Sequence, residues 1–92
     1  MRPSRNSFLV EALATEIKLR RNELGLTQEG LAGSIDLDRP YVTLLESARK
    51  QPTISVLWKL ADGLNLSATE FVARIEKRYL RTLNLLSKVE DC

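Results

Sequence analysis

Apolar positions in this chain recur every three or four residues, and the breaks in that rhythm mark out five predicted helices. Leu9, Leu13, Ile17 and Leu24, with Ala12 and Ala14 beside them, define the first, from Ser7 or Phe8 to Leu24. Gly25 then ends it. Leu31, Ala32 and Ile35 form the inward face of a short second helix that opens at Gln28, behind Thr27, whose hydroxyl suits an N-cap. A sharp corner is predicted at Ile35-Asp36-Leu37, because aspartate tolerates the left-handed backbone that such a corner needs. The third helix takes Asp38 as its cap and Pro40 in its first turn, where a missing N–H is no loss. It turns Val42 and Leu45 inward and ends near Glu46. Helices this short are not stable alone, so the value of the pair lies in what the third helix presents.

The fourth helix is predicted from Thr53 to Leu64, with Ile54, Leu57, Leu60, Ala61 and Leu64 as its buried stripe and Trp58 beside it. Ser67 and Glu70 have capping-box spacing, and nothing in the sequence stops the helix they begin before about Ser87. Phe71 or Val72, Ile75, Tyr79, Leu83 and Leu86 make one apolar face on it, widened by Leu80, Leu85 and Val89, with Arg74, Glu76, Lys77, Arg78, Arg81 and Lys88 filling the rest. A core of this size does not cover the far half of so long a stripe. A two-fold dimer through Trp58, Ile75, Tyr79, Leu83 and Leu86 is therefore expected, the alternative being a helix that folds back on its own bundle.

Composition sets limits on this picture. With 92 residues and 43% hydrophobic content, the chain is expected to be one all-α domain, residues 1–92. Residues 1–6 read as a polar arm carrying Arg2 and Arg5, and residues 67–90 as the dimerisation helix. A net charge of +2 permits a nucleic-acid partner without demanding one. The one cysteine, Cys92, allows no internal disulfide and suits a reducing cytoplasm. No secretion signal or membrane-spanning run is read, and no small-molecule ligand is expected. With no histidine, no second cysteine, no Gly-rich phosphate loop and no nucleophile-plus-base set, the expectation is a non-enzyme with neither metal nor cofactor.

A spaced set of residues carries a family resemblance over about Leu13 to Val72. Arg21 stands seven residues before Gln28, Leu24-Gly25-Leu26-Thr27-Gln28 opens the second helix, and Leu31-Ala32 is a small-residue pair within it. Glu46 closes the third helix, Pro52-Thr53 opens the fourth, and Leu60-Ala61-x-x-Leu64-x-Leu66-Ser67 follows. The set resembles the Xre-type, phage-repressor and Cro-like helix-turn-helix DNA-binding family. Three positions depart from its pattern. Gly30 stands where a helix former is usual, at a cost of about 1 kcal/mol, and Asp36 and Ala48 each replace a glycine.

The resemblance implies a five-helix, lambda-repressor-like domain with an extended C-terminal helix. It implies an ion pair between Arg21 and Glu46 that ties the first helix to the recognition helix. It also implies that the start of the third helix enters the major groove. Arg39, Pro40, Thr43 and Leu44 would then face bases, Arg39 bidentate to guanine and Leu44 against a thymine methyl or merely excluding water. Thr27, Gln28, Tyr41, Arg49, Lys50 and Thr53 would meet phosphates; residues 1–6 are either a frayed terminus or a basic arm that touches phosphate or a minor groove. The implied function is a sequence-specific transcriptional regulator, acting as a homodimer on a pseudo-palindromic double-stranded DNA operator, its two recognition helices about 34 Å apart. Leu37-Asp38-Arg39-Pro40-Tyr41-Val42 is similar to the recognition helix of restriction–modification controller proteins. Two other readings stay open: an antitoxin-type module whose C-terminal helix holds a partner protein, and a purely structural bundle.

Overall fold

The computed structural model of the protein describes residues 5–90. Five helices follow one another: α1 (Ser7–Glu23), α2 (Gln28–Ser34), α3 (Arg39–Glu46), α4 (Ile54–Gly63) and α5 (Ala68–Glu90). No strand occurs among the described residues. The predicted elements are all present, with α5 running a few residues past the expected stop.

Local chemistry sets both ends of these helices. Thr27, Asp38 and Thr53 accept from the amides of Gly30, Tyr41 and Val56, which satisfies donors that have no partner inside the helix. Asn6 does the same for α1 by accepting from Leu9, a cap that the polar-arm reading passed over. At α5 the capping box closes in both directions, Ser67 N–H to Glu70 Oε1 and Glu70 N–H to Ser67 Oγ, each at 3.0 Å. The Ser67 backbone bond is the main reason the Glu70 carboxyl is held below its ordinary value. Its contribution is present above the ordinary carboxylate pKa and is lost as pH falls through the lowered one.

The helix exits repeat one device. Gly25, Asp36, Ala48 and Asn65 all take left-handed backbone, with φ between 56° and 70°. The amide after each reaches back five residues: Leu26 to Arg21, Leu37 to Ala32, Arg49 to Leu44 and Leu66 to Ala61. This closes the last turn of α1, α2, α3 and α4 alike. One of the four sites is glycine and two are Asp36 and Asn65, residue types that tolerate this backbone, so it is at Ala48 that the tertiary packing holds a conformation L-residues disfavour. Gly30 also has a local reason: a Cβ there would stand 3.1 Å from Thr27 Oγ1, the atom that caps the helix.

Ile17, Leu31, Val42, Leu45, Leu60, Leu64 and Phe71 are the largest fully buried side chains, and every helix contributes at least one of them. Two sequence expectations are corrected here. Ile54, placed on the buried stripe of α4, is 71% exposed, because α4 begins there and its inward face starts a turn later at Val56 and Leu57. Ile75, assigned to a dimer contact, is 6% exposed and belongs to the protomer's own core beside Phe71. The α1–α5 seam is further tied by Arg78 Nε to Glu16 Oε1 at 2.9 Å. Arg20 Nε, donating to the Leu64 carbonyl at 2.9 Å, ties α1 to the end of α4.

Gly63, near the end of α4, lies against side chains of α2 and its cap. A Cβ at that position would come 2.5 Å from Ile35 Cγ2 and 3.0 Å from Leu31 Cδ1. Ile35 is β-branched and buried, so it yields little. Gly63→Ala is expected to destabilise the fold by about 1–3 kcal/mol through overpacking, despite the better helix propensity of alanine. A lowered urea midpoint with an unchanged slope would show it, and an unchanged midpoint would contradict it.

Candidate nucleic-acid interface

The site is assembled outward from a clamp between α1 and α3. Arg21 Nε and Nη2 donate to the two oxygens of Glu46 at 2.7 and 2.9 Å, a bidentate pair, and Nη1 donates to the Leu26 carbonyl at 2.7 Å. The side chains of Arg21 and Glu46 are 12% and 4% exposed. The bond to Glu46 holds the Arg21 guanidinium above its ordinary pKa. This places the end of α3 against α1, as the resemblance implied, and leaves the start of α3 standing clear.

Gln28 has a different surrounding from the one anticipated. It was assigned to phosphate, yet its side chain is half-buried, with Nε2 donating to Glu46 Oε1 at 3.2 Å. Its carbonyl oxygen accepts from the Thr43 hydroxyl at 2.7 Å. Gln28 therefore relays the clamp to the surface of α3. The family resemblance implied the pairing of Arg21 with Glu46 but held no signal for a contact between the first turn of α2 and the second turn of α3.

Arg39, Pro40, Thr43 and Leu44 line one shallow hollow on the exposed side of α3. Val42 and Leu45 are fully buried on the opposite side. The Arg39 side chain makes no hydrogen bond or ion pair among the described residues. Thr43 spends its hydroxyl on Gln28 and, at 3.1 Å, on the Arg39 carbonyl. The four candidate base-reading positions thus share a surface.

The candidate phosphate contacts are spread around it. Thr27 and Thr53 stand exposed at the openings of α2 and α4, each engaged in its cap. Arg49 and Lys50 are exposed in the turn after α3. Tyr41 is half-buried against the core, with Lys50 Nζ 5.6 Å from its ring centre, so Lys50 rests over the tyrosine in a cation–π contact. Arg5 donates to the Ala48 carbonyl and so lies beside the turn that carries Arg49 and Lys50, while Arg2 falls outside the described residues. Ala48 holds this turn at φ 60°, where an L-residue is strained. After allowing for glycine's larger freedom when unfolded, Ala48→Gly is expected to raise stability by about 0.5–1 kcal/mol. Chemical denaturation would show the gain, and a loss would contradict it.

Of the remaining dimer candidates, Trp58 is 56% exposed, and Leu83 and Leu86 are 36% and 39% exposed. Tyr79 is half-buried and packs on the core, its hydroxyl oxygen accepting from Asn6 Nδ2 at 2.8 Å. Ile54 and Val72, which the sequence reading did not assign to this surface, border hollows shared with Trp58. No group of His, Cys, Asp or Glu among the described residues is placed to hold a metal ion, and no helix is long and apolar enough to cross a membrane.

A corner of two short helices, the second clamped at its end and bare at its start, is the geometry of a helix-turn-helix regulator. Residues 17–71 match the helix-turn-helix family, and the chain belongs to it: it is a DNA-binding transcriptional regulator. It is 37% identical over 60 residues to control protein C.MunI from Mycoplasma sp, a match covering 65% of this chain and 81% of that one. It also superposes on the restriction-modification controller protein C.Esp1396I, solved as a tetramer in complex with its natural 35-base-pair operator. That match has a TM-score of 0.76 and 36% identity, and covers 82% of this chain and 99% of the other. The clp gene regulator ClgR from Corynebacterium glutamicum shares the fold, with a TM-score of 0.81 at 20% identity over 96% of this chain and 92% of that one.

Proposed function

We propose that this protein is a controller-type regulator that binds a pseudo-palindromic double-stranded DNA operator as a homodimer, in the cytoplasm and without a cofactor. The observation that carries the reading is Arg39. It is an exposed guanidinium with no hydrogen-bond or ion-pair partner among the described residues, at the start of a helix whose far end is locked by a buried ion pair. A guanidinium held on a rigid helix and left without a partner is suited to a bidentate bond with guanine O6 and N7. Pro40, Thr43 and Leu44 extend that reading surface. Arg49, Lys50 and Arg5, with the exposed ends at Thr27 and Thr53, supply contacts to phosphates that fix register and add salt-dependent affinity. Gln28 is better suited to holding Thr43 than to binding phosphate directly.

The dimer surface is drawn from Trp58, Val72, Leu83 and Leu86, with Ile54 at its edge. Val72 and Leu83 are three helical turns apart on α5, so their side chains lie along one line. Exposed apolar residues aligned in this way support burial against a second copy. C.Esp1396I, solved as a tetramer on operator DNA, lends weight to a symmetric assembly here.

Selection of bound duplexes from a random pool, alongside sedimentation equilibrium, tests both parts. The expected outcome is an inverted repeat with half-site centres about one DNA turn apart, bound by a dimer. A pool that never departs from random would overturn the proposal. Co-purification of an unrelated protein through residues 71–92, with no DNA selected, would favour the antitoxin-type reading instead.

A further inference from the structure

We propose that the α3 surface reads an adenine–thymine pair in each half-site, Thr43 accepting from the adenine 6-amino group while Pro40 and Leu44 receive the thymine methyl. The proposal rests on the DNA-binding reading above and goes beyond it by naming a base pair. Its first support is the direction of a hydrogen-bond chain. Both Glu46 oxygens accept from Arg21, and Glu46 Oε1 lies 3.2 Å from the Gln28 side-chain nitrogen. Turning the Gln28 amide over would press its carbonyl oxygen against the carboxylate. The amide is therefore fixed with its nitrogen toward Glu46 and its oxygen toward Thr43.

That oxygen is 2.7 Å from Thr43 Oγ1, and the Arg39 carbonyl is 3.1 Å away. Both neighbours are acceptors, so the hydroxyl proton of Thr43 is used inside the protein. A hydroxyl that ordinarily both gives and accepts presents only lone pairs to the groove. It can meet a base donor and is mismatched to a carbonyl. In the major groove the donors are the amino groups of adenine and cytosine.

The second support separates those two. Thr43 shares its hollow with Pro40 and with Leu44, which is 38% exposed and has no polar atom in its side chain. This apolar wall gains nothing from a bare base edge but buries a methyl group from water. Among the unmodified pairs, adenine–thymine offers an amino donor and a methyl together. The buried Arg21–Glu46 pair thus sets the hydrogen-bond polarity of a surface two side chains away.

The test starts from a duplex the protein has selected. At each A·T pair of the half-site, adenine is replaced by purine, which lacks the 6-amino group, and separately thymine is replaced by uracil, which lacks the methyl. One pair, or two adjacent ones, should respond, purine weakening binding about tenfold and uracil about threefold. Thr43→Val should abolish the purine effect and keep the uracil effect, and Leu44→Ala should do the reverse. Both residues are exposed, so the variants are expected to fold, and circular dichroism confirms it. Specific binding that ignores both replacements everywhere, or sensitivities that survive the matching variant, would overturn this assignment while leaving DNA binding intact. Failure to select any duplex would instead remove the regulator reading and this one with it.

Discussion

Glu46→Ala is expected to lower stability by about 3–5 kcal/mol, a large share of what a domain of this size has. The truncation leaves the Arg21 guanidinium, 12% exposed, without the two oxygens it bonds, and among the described residues no other carboxylate is paired with it. Of its described partners the Leu26 carbonyl remains. The loss measures a stranded charge and not the net worth of the pair. Replacing both residues with apolar ones of similar volume, as in Arg21→Met with Glu46→Leu, should therefore recover much of it. Urea unfolding of the two single variants and the double variant checks this, and additive losses would show that the two charges act independently. The tie should be insensitive to pH in the neutral range. The Arg21 pKa is raised, so its contribution is complete below the ordinary arginine value and fades only as pH climbs past the raised one. A second consequence falls on the α3 surface, because Gln28 loses the partner that orients it.

Much of this architecture could be read from the chain because its signals are local. A cap residue, a period of three to four and a proline in a first turn each act within a few residues, and Thr27, Asp38, Pro40 and the Ser67–Glu70 box appear where the spacing put them. The inward and outward faces of α3 were legible for the same reason. What escaped depended on partners distant in sequence. Whether Ile75 serves a second copy or the protomer's own core is decided by where Phe71 and α1 lie, which the α5 stripe alone does not encode. Ile54 was lost to an ambiguity at the helix start, where two or three residues separate the partly buried Val56 and Leu57 from a position that is 71% exposed. The left-handed Ala48 carries no compositional mark, since glycine or asparagine is what announces such a turn. The Gln28–Thr43 bond needed the helix crossing itself, and with the bond to Glu46 it gives the Gln28 side chain partners inside the protein.

Arg39→Ala is expected to erase the preference for guanine in each half-site while leaving the fold and much of the nonspecific affinity in place. Arg39 is exposed, and its side chain is unpaired among the described residues, so removing it strands nothing inside the protein. A bidentate arginine–guanine contact is worth about 1–3 kcal/mol of discrimination, and a two-fold dimer makes it twice, so affinity for the selected duplex should fall about 30-fold or more. Affinity for a scrambled duplex should change far less, because phosphate contacts supply most of that binding. Arg49→Ala is the contrast. It should weaken both duplexes alike and reduce the slope of log affinity against log salt by about one per protomer, as one phosphate contact is lost from each. Anisotropy titrations over a salt series, at protein concentrations that keep the dimer intact, separate the two patterns. Equal losses on selected and scrambled DNA for Arg39→Ala would make it a phosphate contact, and base reading would then have to come from Thr43 and Leu44 alone.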